Sequence, residues 1–144
     1  PLVLAFLATA AELVGGVFLL FGLLTRLVAI PLMVTMLVAI FTVHIDNGWL
    51  AIADASSWLA DGTILMNDSV MAAPEKLSAA KSLLQTYGNY DWLTSSGSLV
   101  VLNNGIEFGA TYFVMLLVLF FYGGGRYVSI DYFFRPKLQD NNFR

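Results

Sequence analysis

Glu12 is the residue in this chain that most needs a chemical explanation. It sits inside an apolar stretch, residues 1–25, that holds no other charge. An ionisable group at the centre of a bilayer costs roughly 2.5–3.5 kcal/mol on insertion scales, so it belongs against protein or water. Proton transfer, or a hydrogen bond to a quinone-like ligand, is chemistry that suits it. A buried polar group that fixes helix packing is the plainer alternative. Ala5, Ala8, Gly15, Gly16, Leu19 and Gly22 share its stripe at helical spacing. Small residues let helix backbones approach closely in a membrane, so the stripe predicts Glu12 in a tight helix–helix interface. His44 and Glu107 lie at the ends of two further apolar stretches. Glu12, His44 and Glu107 together are the candidate proton-handling or quinone-contact residues. His44 also reads as an interfacial hydrogen-bonding group, and Glu107 as a charge that suits a helix N-terminus.

Composition removes other chemistries. With no cysteine, disulfides, Cys–zinc sites, iron–sulfur ligation and dithiol redox pairs are excluded. One histidine and scattered carboxylates lack metal-ligand spacing, so no metal is expected. Seven basic residues against ten acidic ones, net −3, argue against nucleic acid. Gly123-Gly124-Gly125-Arg126 has neither the preceding strand nor the spacing of a phosphate loop. It reads as a helix stop with an interfacial arginine.

The elements that must position these residues are apolar. The chain is 58% hydrophobic and 12% charged, where soluble domains run near ~45–50% and ~25%. Three apolar blocks stand out, at residues 1–25, 27–43 and 108–125. Each falls in the range of about 17–25 residues that crosses a membrane. They predict three transmembrane helices at about 1–25, 27–45 and 106–123, the first two joined by a tight turn around Thr25–Arg26. Pro31 falls in the first turns of the second helix, where it is tolerated or gives a mild bend.

Residues 46–105 differ. They carry Asp46, Asp54, Asp61, Asp68, Glu75 and Asp91 against Lys76 and Lys81, with turn signals at 46–48, 61–62, 88–89 and 103–105. This predicts an extramembrane insert whose best helix runs from Pro74 to Tyr87, with Pro near its start and Gly88 after its end. Trp49, Trp58, Tyr87, Tyr90 and Trp92 fit either a bilayer-surface position or a small aromatic core. Arg26, Arg126, Arg135, Lys137 and Arg144 fall on the other side of a three-span chain. Positive charge near span ends favours the cytoplasm. The tail, about 124–144, is therefore expected in the cytoplasm and the insert in the periplasm. Gly15, Gly16, Arg26, Arg126 and Asp131 are the expected packing and anchor residues, with a salt bridge between Arg126 and Asp131. The chain opens on Pro1 with apolar sequence, which reads as a missing true N-terminus.

The order of motifs resembles the DoxX family of small bacterial membrane proteins, related to the MauE proteins. The stretches that carry this are Ala-Glu-Leu-Val-Gly-Gly (11–16), Gly-Leu-Leu-Thr-Arg (22–26), Phe-Thr-Val-His-Ile-Asp-Asn-Gly-Trp (41–49), Asn-Gly-Ile-Glu-Phe (104–108) and Gly-Gly-Gly-Arg-Tyr-Val-Ser-Ile-Asp (123–131). The resemblance implies an all-α transmembrane helical bundle in the bacterial inner membrane, with four spans in the full-length form and three in this chain. Residues 50–103 are longer than the family's usual loop. The polar positions that match are Glu12, Arg26, His44, Glu107, Arg126 and Asp131. The resemblance further implies a redox setting: a subunit of a quinone-linked membrane system, or a non-catalytic scaffold or assembly factor for a soluble oxidoreductase. No covalently bound cofactor is expected, and quinone is the cofactor implied. The expected partners are the lipid bilayer and a soluble redox protein or a second copy of the chain.

Overall fold

The computed structural model describes residues 2–60 and 67–134. The regular elements among them are all helices, with no strand and one isolated antiparallel bridge between Ile52 and Leu102. Contacts divide the chain into two compact units, Pro1–Val38 with Thr111–Arg144, and Ala39–Ala110.

The first unit opens with α1, Leu2–Leu20. It ends at Gly22, which adopts a left-handed φ of 59°. There the Leu23 N–H donates to Phe18 O at 2.8 Å and the Gly22 N–H to Leu19 O at 3.1 Å. That pair of bonds is the Schellman closure, which favours glycine at this position because it has no Cβ. α2 follows over Thr25–Ala39. The turn therefore spans residues 21–24, and Thr25 and Arg26 begin the second helix where the sequence placed them in the turn. α1 packs on α2 at Gly15, where an added Cβ would lie 3.0 Å from a Leu32 methyl. Pro31 lies inside α2 and withholds one backbone donor from it.

The helical run that begins at Thr25 continues through a π turn, Ile40–His44, and a 3-10 turn, Ile45–Asn47. α1 and the Thr25–Asn47 run have 19 and 23 residues and are long and apolar enough to cross a membrane. Leu2, Leu4, Phe6 and Leu20 on α1 are each more than two-thirds exposed, an arrangement suited to hydrocarbon rather than water. The third apolar helix, α6 below, has 16 residues, two fewer than the span expected at 106–123.

The second unit holds α3, Asp68–Met71, α4, Ala73–Tyr87, and α5, Tyr90–Leu93. α4 starts one residue before the predicted helix, with Pro74 in its first turn and Gly88 at its C-cap. Asn67 caps α3 through the Ser69 N–H at 2.8 Å. Asn89 accepts from the Trp92 N–H of α5 at 3.4 Å. A small core of Leu50, Ala60 and Val70 takes in Trp49, Ala53 and Leu59. The insert's aromatics thus divide. Trp49 joins the core, Tyr90 is half-buried, and Trp58, Tyr87 and Trp92 are exposed. α6 runs over Glu107–Tyr122, and α7 over Ile130–Phe134. The expected turn at 61–62 lies outside the described residues. So do Arg135, Lys137 and Arg144, on which the charge-based orientation leans.

Candidate functional site

Glu12 sits near the middle of α1 and is exposed. It makes no hydrogen bond or ion pair to another described residue. Part of the expected stripe does form a close contact, at Gly15 against Leu32, while Glu12 stands outside it. Gly15 and Gly22 are buried, and Ala8, Ala11 and Phe18 are half-buried. Successive helical residues are turned by about 100°, so Glu12 faces well away from Ala11. Gly16 is also exposed, with open space where a Cβ would stand.

The Gly22–Arg26 and Gly123–Asp131 motifs, far apart in sequence, meet in one clasp. Asp131, in the first turn of α7, accepts the Leu24 N–H on Oδ1 and the Thr25 N–H on Oδ2, both at 2.7 Å. The first N–H groups of a helix have no partner within it and carry partial positive charge. A carboxylate there makes short, charge-assisted bonds. The expected salt bridge from Asp131 to Arg126 gives way to this arrangement, and Arg126 is exposed. The Ser129 hydroxyl donates to Gly22 O at 2.9 Å. The Ile130 and Asp131 N–H groups donate to Phe21 O and Gly22 O at 3.1 and 2.9 Å. Arg26 donates from its guanidinium to Phe121 O at 2.9 Å, satisfying a carbonyl in the last turn of α6. Leu24 is held at φ 50°, a conformation that costs a non-glycine residue roughly 1–2 kcal/mol. Gly22 and Gly124 both lie so close to Ser129 that neither has room for a Cβ.

His44 and Glu107 belong to a second clasp, inside Ala39–Ala110. His44 Nδ1 lies 2.9 Å from Asn104 O. A carbonyl oxygen only accepts, so Nδ1 carries the hydrogen. Asn104, at φ 60°, also accepts from Asn47 Nδ2 at 3.2 Å. Glu107 begins α6 and accepts the Ala51 N–H on Oε2 at 3.0 Å, while its own N–H donates to Trp49 O at 3.0 Å. Asn103 Nδ2 donates to Asn47 O and Leu50 O at 2.6 and 2.7 Å. Backbone bonds complete the clasp, from Asn103 and Asn104 to Ala51 O, from Gly105 to Leu50 O and from Ile106 to Gly48 O. Glu12 lies in the other unit. His44 and Glu107 act at this junction through separate partners, Asn104 O and the Ala51 N–H, on two residues that are themselves joined by the Asn104 N–H to Ala51 O bond.

Two features escaped the sequence reading. Asn103 carries much of the second clasp, and its signal was the Asn-Asn-Gly turn at 103–105, which marked a bend but not a ligand for carbonyls. Thr25 is 2% exposed, and its hydroxyl has no hydrogen-bond partner among the described residues. It borders an open, mainly apolar cavity of about 320 Å³ with Leu19, Leu119, Val128 and Ser129 on its wall. None of Glu12, His44 and Glu107 lines that cavity. Among the described residues no cluster of His, Asp and Glu is arranged to hold a metal ion.

The two long apolar helices and their exposed hydrocarbon faces fit a membrane protein. The DoxX family model matches residues 1–45, which is consistent with a DoxX-family protein and covers α1, α2 and the π turn up to Ile45. No curated protein and no solved structure matches the chain.

Proposed function

We propose that this chain is a multi-pass bacterial inner-membrane subunit of a quinone-linked redox system, with its tail in the cytoplasm and its insert in the periplasm. The observation that carries the reading is Glu12, an exposed carboxyl near the middle of an otherwise apolar helix. Leu13, Val14 and Val17 beside it are exposed too. A lipid-dissolved quinone is recognised by apolar surface with one or two polar groups, and Glu12 with its exposed apolar neighbours offers such a face. A bound quinone supplies two-electron chemistry coupled to protons. With a quinone bound, Glu12 would be the residue to hold or release a proton beside it. His44 and Glu107 keep the legs of the insert in place, and a proton role for them ranks behind that of Glu12.

The test is bound quinone per protein after mild-detergent purification of the full-length form, for wild type and Glu12→Gln. Near-stoichiometric quinone that falls several-fold in the variant is the expected result. No quinone in either protein, with helicity intact, would overturn the reading. The scaffold would then lead, because the second unit has a core of its own and exposes Trp58, Tyr87 and Trp92. In that case the insert or the tail recruits a soluble oxidoreductase.

A further inference from the structure

We infer that the insert docks on the bilayer surface through the second half of α4 and through α5. Leu83, Tyr87, Trp92 and Leu93 are 61%, 86%, 70% and 50% exposed. Residues 83–93 carry a single charge, Asp91. Leu83 and Tyr87 are one helical turn apart and share a face of α4. The insert's own core takes in Trp49 and leaves these four side chains outside. Lone exposed apolar residues need no explanation, whereas a run of large ones in a short segment marks an interaction surface.

The occupant follows from what the insert is attached to. One end continues from the apolar Thr25–Asn47 helical run and the other leads into α6. The two legs are cross-bonded to each other through residues 47–53 and 101–107. The insert is therefore tethered at one end to a helical run long and apolar enough to cross a membrane and at the other to the shorter apolar helix α6, and the bilayer that such helices enter is the apolar phase within its reach. Tryptophan and tyrosine favour the headgroup level, where the ring body meets hydrocarbon and the polar tip stays wet. With only an acidic charge in the segment, no attraction to anionic lipid is needed, and a zwitterionic surface suffices. The inference rests on the membrane helices and holds whether or not the quinone reading stands.

The chain has no cysteine, so a single introduced thiol reports one position. Nitroxide labels are placed at Leu83→Cys and, as a control two residues along on a different face, at Gln85→Cys. Both positions are exposed, so the fold tolerates the labels. The full chain is reconstituted in phosphatidylcholine vesicles, and collisions with oxygen and with a water-soluble nickel chelate are compared. A several-fold higher oxygen-to-nickel ratio at 83 than at 85 is expected. Equal, nickel-dominated ratios would put the segment in water and overturn the inference. A label at 83 shielded from both probes would mean that a second copy of the chain covers it, and would overturn it as well. A form with Trp92 as its sole tryptophan gives an independent reading. Its fluorescence should fall several-fold with brominated phosphatidylcholine, and an unchanged signal contradicts bilayer docking.

Discussion

The two clasps solve the same problem with different chemistry. Each joins chain segments far apart in sequence at the end of an apolar helix. In the first, one carboxylate does most of the joining. Asp131 takes two N–H groups at the start of α2, and Arg26 reaches a carbonyl near the end of α6. In the second, the joining is spread over many groups. Five consecutive N–H groups from Asn103 to Glu107 pair with carbonyls of residues 48–51, and Asn103, Asn47, His44 and Glu107 add side-chain bonds. Concentrated charge makes the first clasp dependent on one residue. Distributed backbone pairing makes the second tolerant of losing any one side chain, yet intolerant of anything that pushes its two strands of chain apart.

Gly105→Ala should be the most damaging single change. Its Cβ would lie 2.5 Å from Leu50 O and 2.6 Å from Gly48 O, and backbone atoms have no rotamer with which to move away. A loss of about 3 kcal/mol, the upper end for overpacking, is expected. Hydrogen exchange should show it as lost protection across residues 48–53 and 101–107. Asp131→Ala comes next, at about 2–3 kcal/mol for two charge-assisted bonds, read as a lower Tm in mild detergent. Asp131→Asn retains an acceptor and should recover about half of that by the same reasoning. Glu107→Gln tests the contrast directly. Its amide oxygen still accepts from Ala51, so the cost should stay near about 0.5–1 kcal/mol. A Glu107→Gln loss as large as that of Asp131→Ala would mean that both clasps hang on one carboxylate. Smallest, and opposite in sign, is Thr25→Val. It removes a buried hydroxyl that has no partner among the described residues and should raise Tm slightly, by up to about 1 kcal/mol of stability.

Local signals were legible in the sequence, and pairings were not. α4 could be read from Pro74 and Gly88, because both act within one turn of their own position. The two long apolar helices could be read from their apolar length. Both clasps lie in stretches that stood out as motifs, but their partners are 107 and 56 residues apart, and nothing in either stretch names the other. Asp131 was matched to the nearest positive charge, Arg126. Counting charges overlooks the unpaired N–H groups at a helix start, which offer a carboxylate two fixed donors where an exposed arginine offers a mobile one. Glu12 was placed at an interface because its stripe of small residues ran across two adjacent faces. Gly15 decides which face is used, since Leu32 sits on it, and that choice belongs to α2 rather than to α1.

The π turn at Ile40–His44 resets the angular phase of the helix that contains it. Each i→i+5 bond accommodates one residue more per loop than the preceding α turns, so a wheel projected from Thr25 no longer predicts azimuth beyond Ile40. His44, which bonds Asn104 O, is the last residue of that turn. Deleting one residue from 40–44 would restore α phase while leaving composition nearly unchanged, and would swing His44 and Asn47 away from the carbonyl they now share.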